Sequence, residues 1–249
     1  MKLSDTARIS LFIAVSAVLL AAVFAAAGIA IGSTSDVGGS VPTATVTAFG
    51  PTGRSLLIVC EGEVILVCPD GEEDPNPLLD MLRRRKIKSI RHLILFPGSS
   101  ALLEQLSTVC EIVEIHRPEE GGFDDTAGQA RITVEPVENG QWAAYIRYGE
   151  TNLLFLSGDV GSEAARRLAR ETDCLLIPAD GLRADTLSVL LQSGADQAVI
   201  CESAGSPPDQ TLLHALRDAG MDWIRTYGDA AVIQSDGRQL RLLPETPQL

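Results

Sequence analysis

The chain has 249 residues, 45% of them hydrophobic and 21% charged, which is ordinary for a globular protein and enough for one large domain or two small ones. The balance is acidic, 33 Asp and Glu against 20 Lys and Arg for a net charge of −13. A protein that grips phosphate backbones over its surface carries a basic stripe, so this composition argues against direct nucleic-acid binding. The five cysteines, Cys60, Cys68, Cys110, Cys174 and Cys201, form no CxxC pair, and three of them lie within or beside Val/Ile/Leu runs. They read as small buried hydrophobes rather than as a disulfide framework.

From Ile9 to Gly32 no residue is charged, and ~20 residues suffice to span ~30 Å of hydrocarbon. This stretch reads as a transmembrane anchor behind a short cytoplasmic amino terminus, residues 1–8. Lys2 and Arg8 precede it and Asp36 is the first charge after it, so the positive-inside bias places the remainder outside the cell membrane, as a single-pass extracytoplasmic domain. The alternative is a secreted protein cut from a signal peptide near Ala25-Ala26-Ala27. Residues 33–43 are small, polar and Gly-rich, a flexible linker.

The folded domain is expected over 44–249. Residues 44–49 read as a strand, and runs 55–60 and 63–68 form a hairpin about Glu61-Gly62. After an acidic loop containing Asp70 and Glu72, Asn76 is expected to cap a helix with Pro77 at its first position and Leu78, Leu79, Met81 and Leu82 on its apolar face. The basic run from Arg83 to Lys88 reads as the solvated end of that helix. A strand over 92–96, a short helix over 99–107 and a strand over 110–115 follow. Residues 118–128 read as loop, and strands over 130–137, 141–148 and 152–157 form a meander. Beyond the Ser157-Gly158-Asp159 corner the pattern becomes helix 161–171, strand 173–177, helix 183–193, strand 197–201, helix 208–219 and strand 222–226. A last hairpin over 230–235 and 239–243 turns at Asp236-Gly237.

This order fits an α/β architecture of two mixed sheets flanked by helices better than one doubly wound sheet. The segments SLLIVCEGEVILVCPDG, LLDMLRRRKIKSIRHLILF, IRYGETNLLFLSGD, DCLLIPADG and YGDAAVIQSDG carry a resemblance to the metallo-β-lactamase fold. Over Thr45 to Leu243 the chain more narrowly resembles the extracellular hydrolase-like domain of ComEC-type DNA-uptake proteins of bacterial competence. That resemblance implies an αββα sandwich. In active members the strand matching 92–96 leads into an HxHxDH motif whose side chains hold a pair of divalent metals; here it leads into Pro97-Gly98-Ser99-Ser100, without His or Asp. The family's acidic turn near the start is matched by Phe49-Gly50-Pro51-Thr52-Gly53-Arg54, and its Pro-His-His-Gly-Ser by Pro178-Ala179-Asp180-Gly181-Leu182. Of the implied ligands the Asp matching Asp159 is retained.

Asp159 and Asp180 are therefore the candidate catalytic residues, and Asp159, Asp180 and Asp70 the candidate metal ligands. Asp159 has a second reading, as a carboxylate accepting backbone N–H bonds at the start of the following helix. His92 reads as part of the strand start, His116 as the residue before a loop, and His214 as a helix residue among leucines. The expected function is a catalytically inactive binding or structural module, a pseudoenzyme with no cofactor, held to the membrane beside a transport or DNA-uptake component. The alternative is a metal-dependent phosphodiesterase or nuclease with a rearranged acidic site, for which Mg²⁺, Ca²⁺ or Mn²⁺ would be the fitting cofactor.

Overall fold

The computed structural model describes residues 43–49, 55–68, 75–96, 100–118, 121–137, 140–169, 171–202, 207–226 and 230–244. The expected membrane anchor, the linker up to residue 42, the turn at 50–53, and the loops holding Asp70, Glu72 and Pro97 to Ser99 lie outside them. Among the described residues no helix is long and apolar enough to cross a membrane.

The strands are β1 (Ala44–Phe49), β2 (Ser55–Cys60), β3 (Glu63–Cys68), β4 (Ser89–Leu95), β5 (Glu111–His116), β6 (Phe123–Ala127), β7 (Ala130–Pro136), β8 (Trp142–Tyr148), β9 (Thr151–Leu156), β10 (Cys174–Pro178), β11 (Gln197–Cys201), β12 (Asp222–Arg225), β13 (Ala231–Ser235) and β14 (Leu240–Pro244). The helices are α1 (Asn76–Arg84), α2 (Ser100–Leu106), α3 (Ser162–Leu168), α4 (Ala184–Leu190) and α5 (Gln210–Asp218). Among the described residues the strands form two seven-stranded sheets, ordered β14-β13-β1-β2-β3-β4-β5 and β12-β11-β10-β9-β8-β7-β6. Both are mixed. Hairpins, with the long-range pairing of β1 and β13 in the first sheet, make the antiparallel part of each, whereas the crossovers through α1 and α2, and through α3, α4 and α5, make the parallel part.

The central strands are apolar on both faces because each sheet is covered twice. In β2, Leu56 and Ile58 point to the space between the sheets while Leu57 points outward. The inner layer joins Val46, Ile65, Val67 and Ile94 to Ile132, Ile146, Leu153, Phe155, Leu176 and Val199. Outside the first sheet, Leu79 and Leu82 of α1 pack on Leu66, Leu93 and Leu95. Outside the second, Ala165, Leu187, Leu190, Leu212 and Leu216 of α3 to α5 cover Leu154, Leu175, Ile177 and Ile200. The result is the four-layer αββα sandwich. All five cysteines are buried thiols.

Several expected boundaries move. Asn76 is the first residue of α1 and Pro75 its N-cap, so Pro77 lies at the second helical position, where its missing N–H is still harmless. The basic run does end the helix: Lys86 takes a left-handed φ of 56°, and Ile87 N–H reaches back to the Leu82 carbonyl at 2.9 Å. The segment expected as loop from Pro118 to Gly128 contains β6, paired with β7 from Phe123↔Val134 to Ala127↔Ala130. Its Asp124 and Asp125 masked the strand signal, yet Phe123 and Ala127 are buried in the inner layer.

Two hairpin turns dock on hairpins of the opposite sheet. Gly128, between β6 and β7, donates its N–H to Glu63 Oε2 at 2.7 Å beside the β2–β3 turn. Gly149, between β8 and β9, has φ 60°, and a Cβ there would lie 2.5 Å from the Gly237 carbonyl oxygen in the β13–β14 turn. Glu150 N–H donates to that same oxygen at 2.7 Å. Glycine at 149 is needed both for the left-handed backbone and for the approach.

Candidate functional site

In an open sheet with parallel strands, chemistry gathers beyond the carboxyl ends of those strands. Here β9 ends in Ser157-Gly158-Asp159 and β10 in Ala179-Asp180. The neighbouring strand β11 runs into Glu202. Ser157 is fixed within the wall: its hydroxyl donates to Gln141 Oε1 at 3.1 Å and accepts from Trp142 N–H at 2.8 Å. Gln141 lies directly over Gly158, where a Cβ would meet its Oε1 at 2.1 Å.

Asp159 emerges at the rim with about a quarter of its side chain exposed and both carboxylate oxygens engaged. Oδ2 receives Nε of Arg183 at 3.0 Å, and Oδ1 accepts Gly161 N–H at 3.3 Å. Gly161 is itself the N-cap of α3, so Asp159 closes the turn leading into the helix rather than bonding its first-turn amides. The same guanidinium reaches Asp185 Oδ2 through Nη2 at 3.2 Å, which ties the starts of α3 and α4. Asp180 is exposed in the turn after β10, whose backbone is held by Ala179 N–H donating to the Cys201 carbonyl and Asp209 N–H donating to the Ala179 carbonyl, both at 2.9 Å. Asp70 lies outside the described residues.

Beneath this rim the inner layer is closed by aromatic rings. Phe96, just past β4, stacks on Trp142 with ring centroids 5.0 Å apart, and Trp142 stacks on Phe155 at 4.8 Å. A hydrated divalent cation needs several convergent oxygen or nitrogen donors. Among the described residues, the cationic Arg183 on Asp159 and the apolar stack below it do not supply such a donor set.

A second constellation lies at the lateral mouth of the sandwich, where edge strands β5 and β6 face one another. Register places Glu114 opposite His92 and His116 opposite Ile94, so all three polar side chains project toward the inter-sheet space. His92 Nδ1 is 3.0 Å from His116 Nε2 and 3.4 Å from Glu114 Oε2, and His116 Nε2 is 3.5 Å from that same oxygen. Asp125 on β6 brings Oδ2 to 3.5 Å from His92 Nε2, a nitrogen that is buried without a hydrogen bond. Phe123 covers both rings, with centroids 5.4 Å from His92 and 4.8 Å from His116. His92 is 1% exposed, and burial pushes its pKa down, favouring the neutral ring.

Sequence reading does not assemble this cluster. His92 lies within β4 rather than at its start, and His116 is the final residue of β5. Their separation of 24 positions is bridged by a parallel crossover. The available signal is parity: His92 shares its face with Ile94, and Glu114 and His116 alternate on β5.

No family model matches the sequence, and no curated protein matches it. Among solved structures the chain is similar to the metallo-β-lactamase fold protein YhfI from Bacillus subtilis, at 12% identity, 78% coverage of this chain and 99% of that one, with a TM-score of 0.51. Igni18, a metallo hydrolase from Ignicoccus hospitalis, aligns at 12% identity over 82% of this chain and all of its own length, with a TM-score of 0.43. Zn²⁺-bound PqqB from Methylobacterium extorquens aligns at 11% identity over 72% of this chain and 85% of its own, also at 0.43. The first likeness, with the two-sheet topology, defines the architecture: the domain has the metallo-β-lactamase fold.

Proposed function

We propose that this chain is a membrane-anchored, extracytoplasmic module of the metallo-β-lactamase fold that acts by binding or structural support rather than by hydrolysis at the strand-end corner. The observation that carries this reading is the engagement of Asp159 by Arg183 and by Gly161 N–H above an aromatic floor. The charge-free stretch from Ile9 to Gly32 motivates the anchor. The motif resemblance to the ComEC hydrolase-like domain suggests a membrane transport or DNA-uptake component as neighbour, with the net charge of −13 weighing against direct contact with nucleic acid.

The test is phosphodiester hydrolysis by the purified full chain with Mg²⁺, Mn²⁺ or Zn²⁺ on a chromogenic diester and on single-stranded DNA. The expected result is the buffer rate for the parent and for Asp159→Ala alike. Metal-dependent turnover that disappears in Asp159→Ala would sink this reading and favour the alternative, a rearranged hydrolytic site. What favours that alternative is the placement of Asp159 and Asp180 just past two neighbouring parallel strands, β9 and β10.

A further inference from the structure

We infer that His92, His116 and Glu114 form a divalent transition-metal site, of the class that zinc fills, at the lateral mouth of the sandwich. The inference is independent of the reading of the Asp159 corner. Three donor atoms, His92 Nδ1, His116 Nε2 and Glu114 Oε2, stand 3.0, 3.4 and 3.5 Å from one another. A point equidistant from them lies about 1.9 Å from each, so a cation at the ~2.0–2.1 Å bond lengths of zinc rests just off their plane. Glu114 and His116 are partly exposed and His92 is not, so a fourth position on the open side is left for water. Two imidazoles and one carboxylate select a borderline transition cation over Mg²⁺ or Ca²⁺, which prefer oxygen.

The surroundings fit the same ligand. When Nδ1 of His92 gives its lone pair to a metal, the ring proton must reside on Nε2. That nitrogen is buried, lacks a hydrogen bond, and has Asp125 Oδ2 at 3.5 Å as the acceptor toward which it can close. Carboxylate, histidine and metal in line is the usual way a ligating ring is oriented. Phe123 walls the site on the sandwich side. Glu114 and Asp125 together carry the two negative charges that balance a divalent ion over neutral rings. A hydrogen bond between two neutral imidazoles would use one nitrogen of each ring and give neither Glu114 nor the buried Nε2 a role.

The experiment uses the full chain in detergent, without a polyhistidine tag and stripped with chelator, titrated with Co²⁺ and then Zn²⁺. The expected result is one Co²⁺ per chain with the visible absorption of a four-coordinate ion, displaced by one equivalent of Zn²⁺, and a thermal midpoint that rises with zinc. His116→Gln and Glu114→Gln, at partly exposed positions of an edge strand, are expected to weaken binding at least tenfold, and Asp125→Asn by roughly tenfold. His214→Gln and Asp159→Asn are expected to bind as the parent does. Absence of a stoichiometric cobalt spectrum, parent-like binding by both the 116 and 114 variants, or its loss in Asp159→Asn would overturn the site. Should those variants fail to fold, the parent alone decides: histidine ¹H–¹⁵N correlation spectra are expected to lock His92 as the Nε2–H tautomer on adding zinc, and unchanged His92 nitrogens refute the inference.

Discussion

At the scale of single residues, the Asp159–Arg183 pair is a half-exposed ion pair whose contribution to stability is small, because solvent screens it and ordering the long arginine side chain costs entropy. Arg183→Ala is expected to lower unfolding stability by about 0.5 kcal/mol in a urea titration, with the slope unchanged. Trp142 is a different case. It is fully buried between Phe96 and Phe155, so Trp142→Ala removes a large volume from the inner layer and is expected to cost about 3–5 kcal/mol. Asp159 was legible in the sequence as a strand-end residue. Its partner was not, since Arg183 lies 24 positions away behind an intervening helix and strand. His92 and His116 were hidden for a related reason: two sparse residues on neighbouring parallel strands carry no local spacing motif, and only the register of β4 with β5 brings them together.

At the scale of elements, strands buried on both faces announced themselves as continuous apolar runs, and the hairpins at Glu61-Gly62 and Asp236-Gly237 by their turn residues. Strand β6 did not, because it is an edge strand with Asp124 and Asp125 on it. Arg131 on β7 explains the tolerance of Asp124, which it meets through paired bonds of 2.9 and 2.6 Å. Charge on an edge also discourages pairing with other chains. The turn contacts between the sheets give a sharper prediction. Gly149→Ala must adopt a left-handed backbone and push its Cβ against the Gly237 carbonyl, so a loss of about 1–3 kcal/mol is expected in thermal or chemical unfolding. Gly62, also left-handed at φ 84° but with nothing within 4 Å of an added Cβ, is the control, and Gly62→Ala is expected to cost only the backbone strain, about 1 kcal/mol.

At the scale of the whole molecule, the acidic balance makes pH the natural variable. Gly128 N–H, then Arg91, hold the Glu63 carboxyl below its ordinary range, and Arg131 does the same for Asp124. For a carboxyl whose folded value is depressed, the unfolded chain takes up protons first on acidification. The stabilisation is therefore complete above the ordinary Glu value of 4.5 and is lost as pH falls through the lower folded one. Urea midpoints measured from pH 6 down to pH 3 should fall, and Glu63→Gln should start lower and fall less steeply. A parallel decline in the variant would remove Glu63 from the account.

The buried thiols add a practical consequence. Cys174 and Cys201 are wholly enclosed, with burial pushing the latter up to about 12 and the former higher still, so the native state holds almost no thiolate there for an alkylating reagent to find. With Cys60, Cys68 and Cys110 enclosed in the inner and outer layers, labelling has to wait for the protein to open. The rate at which a maleimide consumes the five sulfurs is then a clock for unfolding. Uptake in one burst would mark a sandwich that opens as a unit, and separate phases for Cys110 and for the Cys174–Cys201 pair would mark helical layers that detach one at a time.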